Sequence, residues 1–201
     1  MLMQPFISSS GRPSQSPGGR PVLLSAKAPN KSHRFLVAMV LRIQGSPFIR
    51  PPLRRRLLNM AGASIHRTAV IEHSCWLSGP LLRMEANSLL NVGARLDCSA
   101  WITIGQDTQI GMEFMAITRT HPIERSSTRR NPASPDLWGE VVVGAGCWLG
   151  ARVTVMPGIT IAPGCVVGAT TTLLHSTGPD GLYLNAAGPS GTIYGHRTRN
   201  L

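Results

Sequence analysis

Between residues 141 and 173 the chain reads VVVGAGCWLGARVTVMPGITIAPGCVVGATTTL. An aliphatic side chain returns at every sixth position: Val143, Leu149, Val155, Ile161, Val167 and Leu173. A strand alternates its faces every second residue, and an α-helix returns to one face every 3.6 residues. No continuous element has a period of six. A short strand followed by a corner does, with one anchor pointing inward per side. Three sides close one coil of 18 residues, and coils stack by parallel strand pairing about 4.8 Å apart. Each coil is then buried only by its neighbours, which is the logic of a solenoid.

The same beat starts earlier, at Ile65, and continues through Ile71, Leu77, Met84, Leu90, Leu96, Ile104 and Ile110. After Leu77 and Leu96 it slips by one or two residues, as small corner insertions produce. From Ala116 to Glu140 it is broken. Fourteen anchors predict four to five coils, and each anchor is worth about 1.5–3 kcal/mol on full burial. The fifth position of each hexad is small or modest (Cys147, Val153, Ile159, Cys165, Thr171), as a narrow interior requires. Cys147 and Cys165, 18 residues apart, are expected to stack on adjacent coils as small buried hydrophobes without a disulfide.

Upstream of the repeat the pattern changes. RFLVAMVLRI and PPLRRRLLNMAG read as two short helices, with Pro51 and Pro52 at a helix start and Gly62 at a stop. The predicted organisation is a disordered basic leader over 1–32, a helical flank over 33–62, the solenoid over 63–195 with its loop at 116–140, and a tail over 196–201. Charge supports this division. The chain carries a net +11, yet residues 1–60 hold ten Lys/Arg and no Asp/Glu, while the rest is nearly neutral. A leader of this composition also fits a targeting segment or an over-extended start. The cluster Arg54, Arg55, Arg56 beside Leu57 and Leu58 has two readings. One is peripheral contact with an anionic membrane surface. The other, preferred here, is a solvated flank whose leucines cap the solenoid. With 21 Gly, 16 Pro and few aromatics, the chain favours turn-dense β structure over a helix bundle. Four cysteines without a CxxC pair argue against a zinc ribbon and for a reducing, cytoplasmic setting. No apolar run approaches the ~18 residues of a membrane span.

The repeat resembles the left-handed parallel β-helix of the hexapeptide-repeat acyltransferases. The resemblance extends to motif order: LNVGARLDCSAWITIG at 90–105, THPIERSSTRRN inside the break, then the regular run from Val141. This order is similar to the galactoside, maltose and capsule-sugar O-acetyltransferases over about residues 50–195. The resemblance implies an all-β fold, a homotrimer with sites between adjacent subunits, and acetyl-CoA as cosubstrate without a metal. It also implies transfer of an acetyl group to a hydroxyl of a sugar or glycan precursor.

In that family a loop histidine is the general base, and His121 stands at its place. An alcohol is too weak an acid to attack a thioester unaided, and imidazole accepts a proton at neutral pH. Glu113, just before the loop, is the expected partner that orients His121. Asn91 matches an acceptor-binding position. The family's acceptor-site Asp has no clear counterpart: Asp97 is near but out of register, and Ser99 is the expected replacement. Trp148 matches an aromatic beside the acetyl-CoA site. The pantetheine contacts map to Ala151, Gly168 and Ala169, and His175 is a candidate for phosphate. The chain departs from the family at Leu174-His175 and AAGPSGTIYGHR, where a Thr-Lys pair and an Asn-Pro-Ala segment are usual. Arg152, Arg197 or Arg199 then remain for the 3′-phosphate. The alternatives are an acceptor such as serine or an amino sugar, a noncatalytic β-helix scaffold, and a γ-type carbonic anhydrase, which needs a three-histidine zinc site. No nucleic-acid partner is expected.

Overall fold

The computed structural model describes residues 31–122, 136–185 and 192–196. The expected disordered leader falls almost wholly outside them, as do the central part of the loop and the final residues, including Arg197 and Arg199. The chain forms α1 (Lys31–Ile43) and α2 (Pro51–Met60), followed by five coils of three short strands each. The first coil is β1 (Ser64–Ile65), β2 (Val70–Ile71) and β3 (Trp76–Leu77), and the second is β4 (Leu82–Met84), β5 (Leu89–Leu90) and β6 (Arg95–Asp97). The third is β7 (Ile102–Ile104), β8 (Gln109–Ile110) and β9 (Met115–Ile117). A loop carrying β10 (Arg119–Thr120) and β11 (Leu137–Trp138) leads to the fourth, β12 (Val141–Val143), β13 (Trp148–Leu149) and β14 (Thr154–Val155). The fifth is β15 (Thr160–Ile161), β16 (Val166–Val167) and β17 (Thr172–Leu173), after which β18 (Gly181–Asn185) and β19 (Thr192–His196) close the stack.

Three parallel faces result. Face A stacks β1, β4, β7, β12 and β15; face B stacks β2, β5, β8, β13 and β16; face C stacks β3, β6, β9, β14 and β17. β18 adds to face B in parallel and β19 returns antiparallel to it. This is the parallel β-helix expected from the repeat. Its register aligns the anchors in three columns: Ile65, Met84, Ile104, Val143 and Ile161 on face A; Ile71, Leu90, Ile110, Leu149 and Val167 on face B; and Leu77, Leu96, Ala116, Val155 and Leu173 on face C. All fifteen are buried.

Ala116 corrects the expected break. It completes the third coil in register between Leu96 and Val155, so the interruption starts at Thr118. The beat is hidden there because two positions trade volume. Phe114, also fully buried, occupies the interior that a larger anchor would otherwise fill.

The corners are tight turns in which the residue three before the anchor takes positive φ. Asn87, Asp107, Glu113, Arg152 and Thr170 do so at φ 55 to 63°, and glycines do so at Gly93, Gly146 and Gly164. Small polar and charged residues tolerate this region when their side chains point to solvent.

The N-terminal helices pack on the first coil, and the reading of the arginine cluster as one solvated flank does not hold. Leu58 caps the solenoid as expected, fully buried. Arg54 is buried too. Its guanidinium donates to the carbonyls of Gln44 (2.6 Å), Ser46 (2.8 Å), Ile49 (2.6 Å) and Ile71 (2.9 Å). It ties α1, the connecting turn, α2 and β2 together. A planar fork of five donors suits this task, as a lysine would not. Gln44 adds a bond from its amide to the Cys75 carbonyl at 2.7 Å. Replacing Arg54 with Ala leaves four carbonyls without their donor and is expected to cost about 3 kcal/mol or more, read as a lower midpoint in urea denaturation.

All four cysteines are free and buried. Cys147 and Cys165 stack on adjacent coils, their thiols donating to the carbonyls of Ala162 (3.2 Å) and Gly178 (3.1 Å). Burial pushes the Cys75 thiol up to about 11 and Cys98 to about 12, and raises Cys147. Native protein is therefore expected to resist iodoacetamide at pH 8 and to react at all four cysteines once denatured. The same shifts have a defined sign. The unfolded thiols lose their protons near pH 9 while the folded ones keep theirs. This contribution to stability is full below pH 9 and is lost as pH rises towards 11–12.

Candidate functional site

The extra residues in the slips of the beat all enter at one edge of the prism, where face C turns into face A. They follow β3, β6 and, in the long loop, β9. The loop root is fixed by Thr118, whose buried hydroxyl donates to the Asp97 carbonyl and accepts from the Ala100 N–H at 2.9 Å. The loop then leaves and returns as a short antiparallel stem, with Arg119 opposite Trp138 and Thr120 opposite Leu137. One further step along this register sets His121 across from Asp136, and the two side chains meet with Nδ1···Oδ1 at 2.8 Å. The other Asp136 oxygen faces Arg119 at 3.5 Å, and the Arg119 guanidinium lies over the Trp138 ring at 5.7 Å. A carboxylate at Nδ1 holds the proton there and turns the Nε2 lone pair outward. His121 remains 75 % exposed and Asp136 26 %.

The expected partnership of Glu113 with His121 does not form within the chain. Glu113 sits at the opposite edge, between faces B and C, in the turn below that of Arg152. Equivalent turn residues of adjacent coils stack, so the two meet at 2.5 Å. The hydrogen bond to Arg152 is the main cause that holds the Glu113 carboxyl below its usual range, and it raises Arg152 in turn. Arg152 is thereby engaged, although it was one of three candidates for a phosphate. Asp136 was missed because it lies fifteen residues from His121 in sequence. The signal was present: both ends of an insertion must return to one corner, which brings the residues flanking it together.

Ser99 shares the His121 edge. Its hydroxyl donates to Asp97 at 2.7 Å, and Ser78 donates to the same oxygen at 3.2 Å. The carboxylate that the sequence leaves out of register thus stands beside the expected serine. Asn91 lies elsewhere, at the B–C edge, half-buried, its side-chain oxygen accepting from the Val92 N–H at 2.8 Å.

The residues mapped to pantetheine also gather at the B–C edge. Ala151 and Gly168 are half-buried and Ala169 is exposed. None of these three side chains extends beyond Cβ, which leaves a narrow open strip beside the Glu113–Arg152 pair. Trp148 projects from face B beside them, 58 % exposed. His175 follows β17 and is exposed at the C–A edge of the fifth coil. The structure therefore sorts the candidates onto the two edges that border face C. His121, Ser99 and His175 lie on one edge; Asn91, Glu113, Ala151, Gly168 and Ala169 lie on the other. About 10 Å of strand separates them. Among the described residues, no group of three or more His, Cys, Asp or Glu is placed to hold a metal ion.

Residues 140–175 match the model of the bacterial transferase hexapeptide (six repeats). The chain is 31 % identical over 132 residues to a protein of Escherichia coli K12 named as a colanic acid biosynthesis acetyltransferase, covering 65 % of this chain and 69 % of that one. Among solved structures, a maltose O-acetyltransferase from Clostridium difficile superposes with a TM-score of 0.70 at 17 % identity, covering 84 % of this chain and 88 % of that one. A hexapeptide-repeat acetyltransferase of Vibrio cholerae, complexed with acetyl-coenzyme A, gives 0.69 at 21 %, with coverage of 84 % and 88 %. At these identities the two structures establish the shared fold.

The B–C edge also offers a test of how tightly the coils stack. A Cβ on Gly150 would lie 2.5 Å from the Ala169 nitrogen and 2.8 Å from its Cα. Gly150→Ala is therefore expected to destabilise the fold by about 1–3 kcal/mol through backbone displacement, measured by urea denaturation. An unchanged midpoint would mean that the fourth and fifth coils pack loosely there.

Proposed function

The chain belongs to the hexapeptide-repeat family of bacterial transferases, and from that membership we propose that it is an acetyl-CoA-dependent O-acetyltransferase acting on a hydroxyl of a sugar or glycan precursor. The observation that carries this reading is the His121–Asp136 pair on the one long insertion of the solenoid. Relatives named for colanic acid and lipopolysaccharide acetylation support a saccharide acceptor. The neighbour complexed with acetyl-coenzyme A supports the donor.

In the proposed reaction Nε2 of His121 takes the proton of the acceptor hydroxyl. The oxygen bonds to the thioester carbonyl carbon, and a tetrahedral oxyanion forms. Its collapse breaks the C–S bond, and the departing thiolate takes the proton from the imidazolium. The products are one ester and one CoA thiol, with no covalent enzyme intermediate. Asp136 holds the ring in the required tautomer and stabilises its charged form, as a carboxylate does for other imidazole bases. Ser99 is the proposed acceptor contact, and its hydrogen bond to Asp97 supports a polar site there. Asn91 is the further acceptor contact, and Trp148, Ala151, Gly168 and Ala169 line the donor's path, with His175 towards its phosphates.

Because these groups lie on opposite borders of face C, the reading includes a homotrimer in which one chain's His121 edge meets a neighbour's B–C edge. A reaction that consumes acetyl-CoA, and four reduced cysteines, support a cytoplasmic location.

His121→Ala is expected to lower kcat by about 10²–10⁴-fold while acetyl-CoA binding by calorimetry persists; turnover retained by this variant would remove His121 as the base. Asp136→Asn is expected to reduce kcat with little change in KM, and Glu113→Gln to leave turnover near that of the unsubstituted protein. CoA release over a panel of sugar acceptors gives all three readouts.

A further inference from the structure

We propose that the helical cap at the N-terminal end of the solenoid docks on an anionic lipid surface. α1 is apolar on two sides. Val37, Val40, Leu41 and Gln44 turn towards the protein, and Val40 and Gln44 are buried. Phe35, Leu36, Met39 and Ile43 form a second stripe at 68, 36, 45 and 43 % exposure. An apolar surface that extends past the face a helix packs on the protein leaves a stripe for a further partner to cover. α2 repeats the arrangement: Arg54 and Leu58 face inward, while Leu53 and Met60 are 50 and 60 % exposed. In the turn between the helices Phe48 is 94 % exposed. Half of the large hydrophobic side chains exposed among the described residues thus fall between Phe35 and Met60.

The charged residues of the two helices, their connecting turn and the turn after β1 all carry one sign. Arg42, Arg50, Arg56 and Arg67 are exposed, Arg55 is half-buried, and the first acidic residue of the chain is Glu72. This asymmetry selects the occupant. A second copy set cap against cap would bring the same cations and, within residues 1–71, no carboxylate to meet them. A nucleic acid would answer the cations but not the exposed Phe, Leu and Met side chains. The boundary of an anionic bilayer answers both, with headgroup charge for the arginines and acyl chains for the apolar stripe. Helices of 13 and 10 residues lie on such a surface, and no helix among the described residues is long and apolar enough to cross it.

The test is flotation of the full chain with phosphatidylcholine vesicles, with and without phosphatidylglycerol. Binding is expected to the anionic vesicles only, and to fall as salt rises. Phe35→Ser with Phe48→Ser is expected to weaken it at least tenfold. Arg42→Gln and Arg50→Gln are expected to weaken it about fivefold each. Circular dichroism and CoA release with a soluble acceptor should remain unchanged, because these side chains lie on the surface and away from His121. Absence of binding to anionic vesicles overturns the proposal. So does undiminished binding by the variants, which would assign the contact to residues 1–30. A loss of oligomeric state in the Phe35→Ser, Phe48→Ser variant overturns it as well, because the patch would then lie between copies.

Discussion

Every coil rests on the one before it through parallel backbone hydrogen bonds, and this pairing forces equivalent residues into columns. The interior is three columns wide and has no other dimension to relax into. A side chain too large for its level displaces the backbone of the next coil; one too small leaves a void that only an immediate neighbour can fill. The pair Phe114 and Ala116 shows the constraint at work. The face C column drops to a methyl group at one level, and the ring two residues earlier takes the space.

The same constraint decides where chemistry can sit. Added residues inside a strand would break the register of every later coil, so they are tolerated only at corners. In this chain the two slips and the long loop all use the C–A corner, and Ser78, Ser99 and His121 collect there as a result. The B–C corner receives no insertion, and its turns stack in register from coil to coil. Glu113 therefore meets the residue stacked on it, Arg152, and not the loop. The pairing of each charged edge residue follows from its level and corner, which outweigh nearness in sequence.

This distinction explains what could be read in advance. The hexad period marks the coils, the column membership of Cys147 and Cys165, and His121 on the single long insertion, because all three depend on spacing along the chain. The His121–Asp136 contact depends on how an insertion closes on itself, which spacing alone does not report. Arg54 was misread for a related reason. In sequence it is one of three identical residues; only the packing of α2 against β2 turns it inward, where four carbonyls await a donor. The interrupted beat at Ala116 was hidden because period counting scores one position at a time, whereas the core conserves the volume of two.

The exposure of His121 bears on the proposed trimer as much as on its proposed role as base. Three quarters of its side chain is open to water in one chain, and its carboxylate partner covers a single ring nitrogen. Hydrogen bonds to a developing oxyanion gain strength where water is excluded and the donors are fixed beforehand. On the acetyltransferase reading, the isolated edge supplies the proton acceptor but not that enclosure. The wall carrying Trp148, Ala151 and Gly168 stands across face C, too far to enclose the same imidazole. A second chain that sets its B–C edge against this C–A edge supplies the missing wall and the donor path together. On that proposal, catalysis and assembly would rest on one geometric fact, the division of the candidate residues between two borders of a single face.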